Sequence, residues 1–210
     1  KNDFDPNKPA IPIAYPRLLL DIMLERGFSL SEVLAGSNID ENIFDKPEQR
    51  LTPAQFLFLI LRCFYLSKDP SLGYEMGLRT PVTSHGFLGY AVMSCANLEE
   101  AIKLSQRFVR LRTVLMNFKL YEEGEFAIVE ANTNSPVVLL RQFVFESLLL
   151  SLARAGSFIT GNSINAGEIH FDFAEPTYYQ SVKDKLPPIF FNKPANQIRF
   201  PKAFLKQPLI

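Results

Sequence analysis

Val114-Leu115-Met116-Asn117-Phe118-Lys119-Leu120-Tyr121, then Glu122-Glu123-Gly124-Glu125, then Phe126-Ala127-Ile128-Val129-Glu130-Ala131-Asn132 is the stretch on which the fold turns. Two extended runs flank a short connection with one glycine, the pattern of a β-hairpin. Immediately downstream, Pro136 opens a strongly apolar segment that reads as one long helix to about Phe158. A hairpin followed by a core helix sets the expectation of a small antiparallel sheet packed against a long central apolar helix.

Upstream the signals are helical. Pro16 sits at a helix start that continues through Leu19, Ile22 and Met23 and stops at Gly27. Ser29 with Glu32, and Thr52 with Pro53 and Gln55, have capping-box spacing ahead of apolar runs, and Gly36 suits a left-handed helix stop. Further helices are expected across residues 72–78, 85–95 and 98–112, the last capped by Asn97 with Glu100. Downstream, Ile169-His170-Phe171-Asp172-Phe173 alternates as a half-buried strand, and residues 189–191 and 197–200 add two short strands around a turn-rich segment. Residues 201–210 read as a helical turn and an exposed tail. The fold class is therefore α+β, with N-terminal helices followed by a sheet of about four strands, rather than a βαβ repeat.

Composition narrows the function classes. Of 210 residues 47% are hydrophobic, enough for a sizeable core, and 22 basic residues balance 22 acidic ones, so no overall positive field draws in nucleic acid. Cys63 and Cys95 lie in apolar helical stretches, which suits free thiols in a reducing cytoplasm. Residues 137–153 are interrupted by Arg141, Gln142 and Glu146 and fall short of the roughly 20 apolar residues of a membrane span, so they read as a core helix. The polar, proline-rich residues 1–12 read as a tail, without the apolar segment of a signal peptide.

Several segments, in order, resemble the landmarks of one regulator family. These are Ile13-Ala14-Tyr15-Pro16-Arg17-Leu18-Leu19-Leu20, Leu72-Gly73-Tyr74-Glu75-Met76-Gly77-Leu78, Ser84-His85-Gly86-Phe87-Leu88-Gly89-Tyr90-Ala91 and Asn97-Leu98-Glu99-Glu100-Ala101. Phe190-Phe191-Asn192 and Asn196-Gln197-Ile198-Arg199-Phe200-Pro201 resemble its closing signature. On these residues the chain is similar, over nearly its whole length, to the N-terminal, arabinose-binding-type domain of bacterial AraC/XylS-family transcriptional regulators. The resemblance implies a single domain over residues 13–205 that binds a small effector, is able to form a homodimer and controls a C-terminal helix-turn-helix reader. It also implies that residues 206–210 begin a linker to that reader, so that DNA is a partner only through a domain outside this sequence. Arabinose itself does not follow.

The candidate ligand-binding residues each carry two readings. His85 and Tyr90 flank Gly86 and Gly89, which permit close approach either of a ligand or of a neighbouring backbone. Lys103, Arg107 and Arg110 form a basic stripe in which Arg107 or Arg110 is placed to hold an effector carboxylate, yet Glu99 is spaced to pair with Lys103, as on a solvated face or a surface that docks another domain. Phe143, Phe145, Leu149, Phe171 and Phe173 either line an apolar cavity or fill the core. A cavity lined this way takes an apolar effector, an acyl or aromatic acid, in preference to a sugar, whose hydroxyls need many polar partners. His170 and Asp172 without a third ligand predict no metal site, and no cofactor or membrane partner is expected. No glycine-rich phosphate loop or G-x-S-x-G elbow occurs, and the chain is not expected to be an enzyme. The leading reading is an effector sensor; the second is a ligand-independent dimerisation or interaction module of the same regulator.

Overall fold

A computed structural model describes residues 5–109, 116–133 and 140–210. They group into two compact units, Lys1–Leu72 and Gly73–Ile210, within the span expected as a single domain. The start of the predicted hairpin at Val114, the start of the long helix at Pro136, and Arg110 lie outside the described residues.

In the first unit β1 (Ile11–Pro12) pairs antiparallel with β2 (Arg50–Leu51), a strand pair too short to leave a sequence pattern. Three helices, α1 (Ala14–Glu25), α2 (Leu30–Leu34) and α3 (Pro53–Ser67), bury Leu19, Ile22, Met23, Val33, Leu59, Ile60 and Cys63. The capping boxes form as their spacing predicts. The Ser29 hydroxyl accepts from Glu32 N while Ser29 N donates to the Glu32 carboxylate, and Thr52 and Gln55 make the same reciprocal pair. Thr52→Ala removes the hydroxyl that accepts from Gln55 N and leaves that backbone donor without its partner. It is expected to cost about 1 kcal/mol, read as a lower urea midpoint at unchanged m-value.

The second unit opens with α4 (Leu72–Arg79), followed by α5 (Phe87–Met93) and α6 (Leu98–Phe108). The helix expected from His85 starts at Phe87 instead. Val82–His85 form a 3-10 turn, and Gly86 breaks the path with φ 62°, ψ −142°, a conformation essentially restricted to glycine. The hairpin is β3 (Met116–Glu123) and β4 (Phe126–Thr133), joined by Gly124 and Glu125 alone, with Gly124 at φ 59°.

Helix α7 (Arg141–Thr160) follows and ends on Gly161 in the left-handed conformation. Its 20 residues make it long and apolar enough to cross a membrane by length and composition, more than the interrupted sequence run suggested. Its packing reads as a core helix all the same, because Phe145, Leu149 and Leu150 are buried against Ile169 and Ile198 of the sheet in one hydrophobic cluster.

Strand β5 (Glu168–His170) is followed by α8 (Tyr179–Val182), β6 (Ile189–Phe190) and β7 (Asn196–Pro201). The sheet has five strands in the order β3-β4-β7-β5-β6. It is mixed rather than wholly antiparallel, since β5 and β6 run parallel. The strand expected to reach Phe173 stops at His170 because Asp172 N is taken by the side chain of Asn196 at 3.2 Å instead of a strand partner. Val129, Ile198 and Ile169 face one another across the inner side. On the other side Arg199 joins Glu123 at 2.9 Å and Glu168 at 3.3 Å, and Gln197 donates to Tyr121 and Glu130.

The final residues make a helical turn at Lys202–Lys206, as expected, but the tail is tied down. Leu209 N bonds to Ala96 O and Ile210 N to Ile159 O, although the Ile210 side chain is 86% exposed.

Candidate functional site

Helix α7 carries a carboxylate on its buried face. Phe143, Glu146, Leu149 and Leu150 all point inward at helical spacing, and Glu146 is 1% exposed. Room for it comes from α4. A Cβ on Gly73 would lie 2.6 Å from Glu146 Oε2 and 3.2 Å from Phe143 Cα, and one on Gly77 would lie 2.6 Å from Leu150 Cβ and 2.7 Å from Ser147 O. The two glycines, one helical turn apart, let α4 lie directly on α7.

Tyrosines surround the carboxyl. Tyr178, in the segment before α8, donates its hydroxyl to Glu146 Oε1 at 2.7 Å. Tyr74 of α4 is 2% exposed, and its ring meets Tyr178 edge-on at 6.0 Å and Tyr179 at 6.4 Å. The Tyr74 hydroxyl stands beside the Glu146 carboxyl, although the Tyr74 hydroxyl and Glu146 Oε2 fall short of good hydrogen-bond geometry. Burial raises the Glu146 carboxyl to a pKa of about 7, against the Tyr178 and Tyr74 hydroxyls, which favour the charged form. Burial and the adjacent Glu146 charge also push the Tyr74 hydroxyl upward.

The rings continue outward. Tyr179 stands edge-on to Phe191 at 4.8 Å, and Phe171 stacks on Phe173 at 4.7 Å and on Phe191 at 5.9 Å. Tyr179 also lines an open cleft of about 370 Å³ with Asn165, Lys183, Asp184 and residues 186–188. At the start of α7, five residues before Glu146, Arg141 is held by both oxygens of Asp172 at 2.6 and 2.5 Å and lies over the Phe145 ring at 4.9 Å.

The residues singled out from sequence do not form one site. Phe171 is fully buried inside the aromatic stack, and Phe143 is buried with its backbone against Gly73. His85 closes the 3-10 turn, half-buried. Tyr90 is 60% exposed on α5, beside Phe87 at 58%. Gly89 abuts the Val82 carbonyl, so the close approach it permits is to backbone. Arg107 is exposed with its guanidinium over Phe108 at 5.3 Å, while Glu99 pairs with Lys103 at 2.5 Å and also with Lys206. His170 bonds Glu168 at 2.9 Å and Asp172 bonds Arg141, so the two are engaged separately. Among the described residues no group of three or more His, Cys, Asp or Glu is placed to hold a metal. Burial pushes the Cys63 thiol up to about 12, which keeps it protonated and unreactive.

Glu146, Tyr74 and Tyr178 were not among the sequence candidates. Their signal was present in part: a lone carboxylate on the apolar face of the most apolar helix is costly unless something partners it.

The chain belongs to the family described as the arabinose-binding domain of AraC transcription regulator, N-term, which matches residues 27–209. It is similar to the ornithine utilization regulator of Pseudomonas aeruginosa, 26% identical over 200 residues that cover 95% of this chain and 59% of that protein. An uncharacterized HTH-type transcriptional regulator of Mycobacterium tuberculosis is likewise 26% identical over 204 residues, covering 94% of this chain and 59% of that protein. The crystal structure of the transcriptional regulator CdpR from Pseudomonas aeruginosa has the same fold, with a TM-score of 0.67 at 11% identity, over all of this chain and 59% of that one. The chain thus spans 59% of the length of the curated relatives it matches.

Proposed function

We propose that residues 13–205 act as the effector-sensing domain of a cytoplasmic AraC-type transcriptional regulator, controlling a C-terminal helix-turn-helix reader through which alone DNA is bound. The chain performs no catalysis in this reading. An effector stabilises one arrangement of the domain over another by binding it more tightly, and that difference biases the reader. The family membership supports the sensing role, and the observation that carries the site is the tyrosine-lined carboxylate buried beside the Phe171, Phe173 and Phe191 stack. Those rings suit an effector with an acyl or aromatic body better than a sugar. An acid head group would need a cation, and Arg141 is already committed to Asp172.

The second reading, a ligand-independent homodimerisation or interaction module, is favoured by one observation: in the second unit Phe87, Tyr90 and Phe158 are 58%, 60% and 63% exposed. A thermal-shift screen of this chain against fatty acids, aromatic acids, amino acids and sugars, followed by calorimetry, separates the two. The name of the Pseudomonas aeruginosa relative ties that protein to ornithine, so ornithine belongs in the panel. A saturable rise of several degrees from one class is expected of a sensor. No shift from any class, with a concentration-dependent dimer in solution, would replace sensing by the interaction module.

A further inference from the structure

We propose that the exposed face of α3 is a docking surface for a second copy of this chain, the two helices packing antiparallel across a two-fold axis at Leu61. The inference goes beyond the sensor reading and does not depend on it, because it rests on the first unit alone.

The helix is apolar on both sides. From Ala54 to Ser67 its single charged residue is Arg62, and a helix that is apolar all round belongs in an interior. One side is in one: Leu59, Ile60 and Cys63 are at most 2% exposed. The other side is not. Phe58 and Leu61 are each 39% exposed and Tyr65 is 63% exposed, with Ala54 at the start of the helix and Lys68 just past its end exposed as well. These positions alternate four and three apart, the spacing with which one helix lays a seam along another at a crossing angle of about 20°. A single exposed leucine needs no explanation, whereas large apolar side chains held in one heptad register mark a surface built to meet a helix.

The seam fits itself. With Leu61 on the axis, antiparallel packing sets Leu61 against Leu61 of the second copy, Phe58 against its Phe64, Leu57 against its Tyr65 and Ala54 against its Lys68. Large apolar side chains meet one another, and the smallest side chain faces the longest. Charge selects the same direction. Lys68 lies over the Tyr65 ring at 4.2 Å, at the C-terminal end of the seam. At the other end Ala54 N donates to Pro6 O at 3.0 Å, which holds the exposed Asp5 beside the start of α3. Antiparallel packing carries each Lys68 toward Asp5 of the second copy and opposes the two helix dipoles, whereas parallel packing sets Arg62 and Lys68 against their own copies.

The size of the contact sets its strength. A seam along a helix about 22 Å long sits at the low end of specific interfaces, below about 1,200 Å² in total, so the dimer is reversible, with a Kd on the order of 10 μM. In the second unit α5 (Phe87–Met93) is two turns long, too short to carry a heptad seam, so its exposed Tyr90 serves as a control.

The test is sedimentation velocity on this chain from about 1 to about 200 μM, a range that spans the expected Kd. A monomer–dimer equilibrium is expected. Leu61→Glu sets two carboxylates against each other on the axis and should weaken the dimer at least about thirtyfold, with unchanged circular dichroism showing that the variant folds. Lys68→Glu and Asp5→Lys should each weaken it several-fold and restore it when combined, a rescue that an indiscriminate apolar patch does not give. Tyr90→Glu should leave it unchanged. A chain that stays monomeric throughout overturns the proposal. So does a dimer that survives Leu61→Glu, or one that is lost in Tyr90→Glu, either of which moves the contact off α3. None of these outcomes bears on whether an effector shifts the thermal midpoint, so the sensor reading stands or falls separately.

Discussion

Gly89→Ala is expected to destabilise the second unit by about 3 kcal/mol or more, lowering its thermal midpoint by on the order of 10 °C. A Cβ at Gly89 would stand 2.1 Å from the Val82 carbonyl oxygen and 3.0 Å from its carbon, distances that no rotamer change relieves because both atoms are backbone. The backbone in question is not free to retreat. Val82 is buried, and the turn it opens is closed by Ser84 N to Pro81 O and Gly86 N to Thr83 O. The internal control is Gly156 in α7, where a Cβ meets nothing within 4 Å. Gly156→Ala should stabilise by about 0.5–1 kcal/mol, since alanine loses less backbone entropy in a helix. Thermal unfolding of the two variants measures both signs. A Gly89→Ala protein within about 1 kcal/mol of wild type would mean that the approach of α5 to the preceding turn is not what holds this region together.

Glu146→Gln is expected to remove the largest single pH dependence of stability in the second unit. The folded carboxyl titrates at about 7, above its ordinary value of 4.5, so between those two pH values the folded state binds more protons than the unfolded one. Stability from this group is therefore fully present below about pH 4.5 and is lost as pH rises through 7. The shift corresponds to roughly 3 kcal/mol. Glutamine keeps an oxygen to accept from Tyr178 and adds an amide donor for Tyr74, without a charge to bury. The variant should gain on wild type by that amount between pH 4.5 and 8 in urea titrations, with little difference at the acid end. Parallel stability curves for the two proteins across that range would show that Glu146 ionises as freely folded as unfolded, and would remove the physical basis for an acid held in reserve.

Local chemistry made much of the fold legible. Ser29 with Glu32, Thr52 with Gln55, and Asn97 ahead of Glu100 start their helices as their spacing requires, because a cap is a bond between residues three apart and needs nothing else. Gly27 and Gly36 take positive φ beyond the ends of α1 and α2 for the same local reason. The hairpin was readable from alternation around one glycine. The family resemblance was readable too, since its landmarks fall on α1, α4, the turn into α5, the cap of α6 and the strands β6 and β7.

What sequence by itself determined was thus the α+β class, the helix starts, the hairpin and the family. Tertiary structure alone decided the sheet order, the parallel pairing of β5 with β6, and the early end of β5, because each depends on which distant strand or side chain supplies a backbone's hydrogen bonds. It alone also decided the site. Glu146 is read from sequence as an interruption of an apolar helix. Only the approach of α4 through Gly73 and Gly77, and the return of the chain at Tyr178, converts that interruption into a buried carboxylate with one oxygen bonded to Tyr178 and the other packed against Gly73. The reason is physical: burial and hydrogen-bond satisfaction are properties of neighbours brought together from residues 73, 146 and 178, and no window of local sequence contains all three.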